Sequence, residues 1–552
     1  METEDLKKQV RERKQSLWDE RSSWDAHYRE ISEVLLPRAG RFLTEDTNKG
    51  EKRHRAILDS TGTRALRTLA GGMMAGMTSP ARPWFRLTTL DPELDESHAV
   101  KAWMGGLTSR MQMIFNRSNV YRALHTAYEE LGAFGTSATV IYDDDDKIIH
   151  CMPLTVGEYC ISTDARGQVD TLYRQFRLPV AAVVREFGYE NCSERVQHAW
   201  DEKRFDEWVD IINAIEPNFE YDPKQSAFSK DFRWRSLYFE DNGNDDKFLR
   251  QSGFMQFPAL CGRWVVTGGD IYGTSPGMEA LGDLNQLQQE QLRKAQAIDY
   301  MSNPPVIIPG EMKDDESSIA PGGVIFVGST QQAQTIRSAF DVRLDLNALL
   351  ADIQDTRSRI NEAFYKDIFL MLTTTGTDRM TATEVAERHE EKMLMLGPVL
   401  DRLNNEVLDP LITLVFDRML RLGLVPPPPP EMNGIALNVD YISILAQSQK
   451  AITTNAVDRF MTNLGVVAGM KPEVLDKVDT DRWADYYADA LGVDPQLLVP
   501  GKEVAIIRQQ RAEAAAQQQQ MEQAVQMSQA AKNLGDMQSA APQDIAGMFS
   551  GY

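Results

Sequence analysis

Apolar residues recur at helical spacing through the middle of the chain, and the breaks in that rhythm divide it. Across residues 277–300, Met278, Leu281, Leu284, Leu287, Leu292, Ala295 and Ile298 fall on one rough stripe, with five glutamines and several charges over the rest. The pattern predicts a helix that packs on one face and stays wet on the other. Asn303, Pro304 and Pro305 end it, since the residue before a proline leaves the α region and proline has no backbone donor. Two short apolar runs follow: Val306, Ile307 and Ile308, then Val324, Ile325, Phe326 and Val327. Bracketed by Gly310, Pro321, Gly322, Gly323 and Gly328, they read as strands. Leu346, Leu350, Ile353, Ile360 and Phe364 mark a second helix, which runs into a loop of Thr373, Thr374, Thr375, Gly376, Thr377, Asp378 and Arg379. A third helix opens with a capping box, Thr381 and Glu384 satisfying each other's orphan donors. Its apolar stripe continues through Leu396, Leu400, Leu403, Val407, Leu411 and Leu414.

The flanks carry other rhythms. Residues 5–36 read as a strongly charged helix with Leu6, Val10, Leu17, Trp24, Tyr28, Ile31 and Leu35 on one face, stopped by Pro37. A basic cluster of Lys49, Lys52, Arg53, His54 and Arg55 precedes a helix through Ile57, Leu66 and Leu69 to Met77, in which Gly72 and Gly76 let another element approach closely. Between 139 and 267 the pattern changes to β-type runs at 139–142, 148–152, 171–176, 234–239 and 264–267, with helical stretches at 180–187 and 192–208. That mixture predicts an α+β region in a mainly helical chain. The proline run 426–430 is a stiff spacer. Beyond it, residues 442–498 have a helical period broken at Gly465, Gly469, Pro472 and Pro495, which fits a small helical layer. Residues 502–532 are rich in Ala, Gln, Glu and Met, with Val504, Ile507, Met521 and Val525 among few large apolar anchors. Such a helix buries too little alone and needs copies of itself or a partner. Residues 535–552 read as a flexible tail, and no tandem repeat is present.

The order of these features resembles the portal proteins, or head-to-tail connectors, of short-tailed bacteriophages. Three further stretches carry the resemblance. Leu69-Ala70-Gly71-Gly72-Met73-Met74-Ala75-Gly76-Met77-Thr78-Ser79-Pro80-Ala81-Arg82-Pro83-Trp84-Phe85 is similar to the family's small-residue helix ending in a proline and a Trp-Phe pair. Glu130-Leu131-Gly132-Ala133-Phe134-Gly135-Thr136-Ser137-Ala138 resembles its helix leading into the first wing strands, and Tyr272-Gly273-Thr274-Ser275-Pro276 its turn into the first stem helix. The resemblance covers about residues 5–425, and its weight lies in the order of the motifs. It implies a wing over 1–275, a stem helix over 276–302, a clip over 303–341, a second stem helix over 342–366, a channel loop over 367–381 and a long wing helix over 382–425. A helical crown over 431–500 and an Ala/Gln-rich helix with its tail over 501–552 complete the expected subunit. It further implies a closed homo-oligomer, usually a dodecamer, through which double-stranded DNA passes. A terminase ATPase and then tail adaptors would dock at its clip, with major capsid and scaffolding proteins around it in the virion. Thr373, Thr374, Thr375, Gly376, Thr377 and Arg379 would rim the channel, and Arg293 and Lys294 would meet phosphates if they face the lumen. Val306, Ile307, Ile308, Val324, Ile325 and Phe326 would join clips of neighbouring subunits.

Composition is compatible with this picture. Of 552 residues 42% are apolar and 25% charged, which suits a folded chain of several domains. No apolar run is long enough to span a bilayer, and the amino terminus lacks a secretory apolar core, so synthesis and use in the host cytoplasm and no membrane partner are expected. The net charge of −22 argues against gripping DNA, whose binding rests on phosphate neutralisation, but suits a channel wall along which DNA must slide. Excess acid that merely keeps a large protein soluble explains it equally well.

Candidate chemistry is thin. Asp143, Asp144, Asp145 and Asp146 could hold a hard cation, yet they fall between two apolar runs and read as a solvated hairpin turn. His150 and Cys151 are strand neighbours on opposite faces and cannot share a proton. Cys151, Cys160, Cys192 and Cys261 match no metal or redox spacing and read as buried thiols. Gly273-Thr274-Ser275-Pro276-Gly277 imitates a hydrolase nucleophile elbow, but Pro276 lacks the N–H that an oxyanion hole needs. Neither a P-loop nor a His-Glu-x-x-His helix occurs, so no enzyme and no cofactor is expected. Two alternatives stay open: a metal-dependent hydrolase or nuclease using the acidic turn, and a structural adaptor assembled through the Gln/Ala-rich helix.

Overall fold

The structure, a computed structural model, describes residues 3–42, 50, 52–91, 94, 97–223, 228–241, 247–303, 306–309, 324–327, 346–373, 396–432, 437–442, 460–467, 469, 471, 473, 478–484, 499 and 501–539. They fall into two compact units, one of Met1–Thr88, Gly106–Pro427 and Leu437–Ile452 and one of Thr89–Gly105, Pro428–Ala436 and Thr453–Tyr552. The boundary falls inside the proline run.

In the first unit, α1 (Thr3–Val34) buries Val10, Leu17, Tyr28 and Ile31 along the predicted face. Next along the chain come α2 (Thr61–Met77), β1 (Phe85–Thr89), α3 (His98–Arg117), which belongs to the first unit only from Gly106, and α4 (Val120–Phe134). The helix expected through Ile57 starts later: Asp59 takes the N–H and hydroxyl of Thr61, and the residues before it form a separate 3-10 turn, Arg53–Ala56. Helix α4 ends at Gly135, whose φ of +73° suits a residue without a Cβ. An added Cβ there would stand 2.3 Å from the Gly273 carbonyl oxygen.

The chain then enters β2 (Thr136–Asp144), β3 (Ile148–Leu154), β4 (Tyr159–Thr163) and β5 (Val169–Pro179). Two short helices, α5 (Val180–Phe187) and α6 (Glu194–Asp201), lead to β6 (Trp208–Pro217), β7 (Trp234–Glu240), β8 (Arg250–Phe254) and β9 (Ala259–Arg263). One antiparallel sheet has the order β4-β5-β6-β7-β8 and another the order β3-β2-β9. The α+β reading of this region holds, with two corrections. The helix expected over 192–208 is only α6, because Trp208 already pairs with Pro179 and opens the strand β6. The strand expected at 264–267 lies earlier, as β9. After Arg263 only Val265 makes a bridge, to Thr274.

Helix α7 (Pro276–Glu279) turns at Ala280 into α8 (Leu281–Ser302), and the strands β10 (Val306–Pro309) and β11 (Val324–Val327) pair in parallel. Helix α9 (Leu346–Ala363) does not run straight into a loop as expected. Tyr365 takes φ +53° and a further helix, α10 (Lys366–Thr373), begins. Residues 396–403 are helical, widen into a π turn at Asn404–Leu408, and continue as α11 (Asp409–Arg421). Beyond that turn Leu411 is buried as expected and the buried face continues through Val415 and Met419, while Leu414, also expected on the stripe, is half-buried. Strand β12 (Leu437–Tyr441) pairs with β1.

In the second unit the described residues include α12 (Gly501–Ser539), a single long helix. Its apolar positions remain in solvent, Met521 at 69% and Val525 at 53% exposure. Arg508 and Asp481 pair at 2.6 Å. Among the described residues no helix is long and apolar enough to cross a membrane.

Candidate functional site

The expected channel-forming elements grow out of the core of the first unit. Helices α8 and α9 pack antiparallel, since Asp283 and Gln286 near the start of α8 meet Arg359 and Thr356 near the end of α9. Ser275 caps the entry, its hydroxyl accepting from Met278 N–H at 3.0 Å and donating to the Ala133 carbonyl at 2.7 Å, with Pro276 in the first turn. The serine of the false nucleophile elbow is therefore a fully buried cap.

The glutamines read as a wet covering do more than that. The Gln288 side-chain oxygen accepts from the N–H groups of Leu58 and Asp59 at 2.7 and 2.8 Å. Gln291 donates to the Asp59 carboxylate at 2.9 Å, as does Arg357 from α9 at 2.7 Å. Burial pushes the Asp59 carboxyl up, but the bonds from Thr61 and Arg357 outweigh it and hold it below the ordinary carboxylate range. One aspartate thus ties both long helices to the start of α2. An i, i+3 glutamine pair facing Asp-x-Thr was the available signal, and it is a weak one.

Farther along α8 Ala297 is still buried, but the large apolar residues are not. Leu284 and Leu287 are fully buried, whereas Leu292, Ile298 and Met301 are 48%, 45% and 51% exposed, and Leu350 on α9 is 40% exposed. The expected stripe is therefore covered by the chain only over its first turns. Arg293 is exposed and Lys294 half-buried on this outer part. The predicted strands are present, in the register Val306↔Val324, Ile307↔Ile325 and Ile308↔Phe326.

Thr373 ends α10, so the range read as a channel loop from 367 begins as helix. Thr374, Thr375, Gly376, Thr377 and Arg379, with the capping box of Thr381 and Glu384, lie outside the described residues. Both approaches to that segment are firmly rooted. On one side Phe369 is buried against α2 where Gly72 has no Cβ; one added there would meet its ring at 2.3 Å. On the other, Leu396, Leu400 and Leu403 are buried, and Glu406 in the π turn meets Arg263 at the end of β9. Arg263 donates to Glu406 from its backbone N–H at 2.9 Å and from its guanidinium, which also reaches the Gly167 carbonyl at 2.7 Å.

The other candidates resolve into structure. The acidic run forms the β2–β3 turn: Asp144 accepts from the N–H groups of Asp146 and Lys147, and Asp143 pairs with Arg418 and Arg421 of α11. His150 is exposed and Cys151 buried, on opposite faces of β3. All four cysteines are free and buried, and burial pushes the Cys151 and Cys160 thiols up to about 12 and Cys192 to about 11. Nothing in this arrangement generates a nucleophile.

Residues 7–499 match the family described as Bacteriophage head to tail connecting protein. The chain is 57% identical over 539 residues to a probable portal protein of Bordetella phage BPP-1, covering 97% of this chain and 96% of that one. To the portal protein of Salmonella phage epsilon15 it is 42% identical over 542 residues, covering 98% and 97%. A solved chain from the virion of a native gene transfer agent (GTA) particle aligns over 79% of this chain and 95% of that one, at 12% identity and a TM-score of 0.31, too loosely to carry an argument.

Proposed function

The chain belongs to the bacteriophage head-to-tail connecting proteins and works as a portal protein at the capsid vertex, and on that premise we propose how its parts serve a DNA conduit. Copies close into a ring, twelve in number, with α8 and α9 as stem helices and β10 with β11 as the clip. The observation that carries this reading is the outer part of α8, where Leu292, Ile298 and Met301 stand half in water. Neighbouring copies supply the missing cover. Native mass spectrometry should show closed rings at micromolar concentration, and monomers alone would overturn the assembly.

Within the ring, double-stranded DNA enters during packaging and leaves at ejection. Arg293 and Lys294 face its phosphates, the acidic excess keeps the wall from holding it, and Thr373, Thr374, Thr375, Gly376, Thr377 and Arg379 rim the narrowest point. Among the described residues the parallel pair β10–β11 has no further strand at its edges, and strands of adjacent clips add there. That belt receives the terminase ATPase and afterwards the adaptors of a short tail, while major capsid and scaffolding proteins surround the wing. The chain itself is not an enzyme: Ser275 and the acidic turn are committed to capping and pairing. Deleting residues 373–377 should leave rings intact while shortening the DNA retained in reconstituted heads; normal packaging by normal rings would remove the loop from the site.

A further inference from the structure

One face of the five-stranded sheet is covered at both ends and open between them. Towards Leu178, α5 and α6 pack over it around Val183, Val196 and Val209; towards Leu172, the sheet β3-β2-β9 covers it around Val140 and Ile215. The gap is a cleft of about 820 Å³. Its floor is ordered: the Arg174 guanidinium lies 4.1 Å from the centre of the Phe176 ring and pairs with Glu158, and the hydroxyls of Tyr142 and Tyr238 are 3.2 Å apart. At its rim Trp208 is 43% exposed and Arg185 of α5 is exposed. An aromatic floor with guanidinium groups around it is a receptor for an aromatic side chain.

The opposite end of the same sheet carries the complementary feature. In the β6–β7 connection Phe219 is 88% and Phe228 67% exposed, beside the exposed Glu220. The backbone bearing them is braced. Asn218 donates to the carbonyls of Arg233 and Phe232 at 2.8 and 3.1 Å, and Gly253 on β8 lets the Ser229 carbonyl come within 2.4 Å of where a Cβ would stand. Phe219 and Phe228, each held in water on firm backbone at one side of this connection, are read together as a knob. The ten residues of β6 part this knob from the Trp208 rim, a span of about 30 Å at strand spacing. The knob of one chain therefore does not fill its own cleft.

We propose that Phe219 and Phe228 of one copy seat in this cleft of the next copy around the ring, with Arg185 meeting an aromatic face and Glu220. Knob and socket are different patches, so the contact is head-to-tail, the kind that closes into rings. The inference rests on the ring assembly proposed above. The test places Phe219→Cys and Arg185→Cys in one chain, where the buried native thiols stay slow to oxidise. Phe228→Cys with Trp208→Cys serves as a second pair should the first fail to assemble. Rings are verified by native mass spectrometry, mildly oxidised, and run on denaturing gels without reductant. The expected result is a thiol-reversible ladder of covalent multimers holding more than about half the protein, absent from each single variant. Intact rings without a ladder, or a crosslink within single chains, would overturn the knob and socket and leave the ring standing. Absence of rings from the unaltered protein would instead remove the assembly, and this contact with it.

Discussion

The two ends of α8 are built from the same kinds of residue and meet opposite environments. Near its start Leu284 and Leu287 are fully buried, and Leu284 lies so close to Gly62 of α2 that an added Cβ would stand 2.3 Å from it. Gln288 and Gln291 lash the same turns to Asp59. Farther out, Leu292, Ile298 and Met301 lie about half exposed. An amphipathic stripe states that a face will be covered but not by what. Here the chain covers the first turns itself and leaves Leu292, Ile298 and Met301 about half in water, and in the ring proposed above folding and assembly would draw on separate stretches of one helix.

That separation can be broken by substitution. The largest effect is expected at the buried pair that roots the long helix: Glu406→Ala leaves the Arg263 guanidinium, 4% exposed, without its counter-ion. The loss should be about 3–5 kcal/mol, read as a fall in denaturation midpoint of the isolated chain. Leu287→Ala should cost about 2–5 kcal/mol on the same measurement. Ile298→Ala, on the bare stretch, should stay within about 0.5 kcal/mol yet lower the fraction of rings at a given concentration. Equal destabilisation by the two would show that the outer stretch is supported within the chain and end the contrast.

A pH titration sharpens the comparison from the core side. Glu130 on α4 is buried, accepting from the Thr155 hydroxyl at 2.7 Å and from Val156 N–H, and burial pushes its carboxyl up to about 7. The unfolded chain releases that proton near about 4.3. The folded state therefore holds a proton the unfolded state has lost, and stability from this group falls as pH rises from about 4.3 through about 7, then levels. The drop should be on the order of 3 kcal/mol. Glu130→Gln should flatten that part of the stability curve relative to the parent; parallel curves would show that the carboxyl ionises freely in the fold.

Much of the architecture was legible in local pattern. The first helix, α5, the acidic hairpin, the stop at Asn303 and the two short strands follow from periodicity and proline chemistry, which act within a few residues. What escaped depends on distant partners. Trp208 opens a strand because Pro179 is opposite it, and the chain past Arg263 leaves its strand where Trp264 N–H turns to the Gly135 carbonyl. Tyr365 breaks a helical run without glycine or proline, with Phe364 and Phe369 buried on either side. For the proposed site, order along the chain pointed to the right family, while Arg293 and Lys294 look like any surface cations. Phe369 on Gly72 and Glu406 on Arg263, which flank the expected channel segment, involve residues some 300 and 140 positions apart and left no local mark.

The π turn at Asn404–Leu408 gives the long helix one soft place in its length. Elsewhere, removing a residue from a buried α-helix rolls everything beyond the cut by about 100°. From 396 to 403 or along α11 that would swing Leu400 or Val415 out of the core. Within the wide turn the exposed Asn405 is a spare coil. Its loss lets five residues close to an ordinary turn while both apolar faces keep their heading. Among related chains this helix should tolerate many changes of identity and very few of number, and the few should gather there.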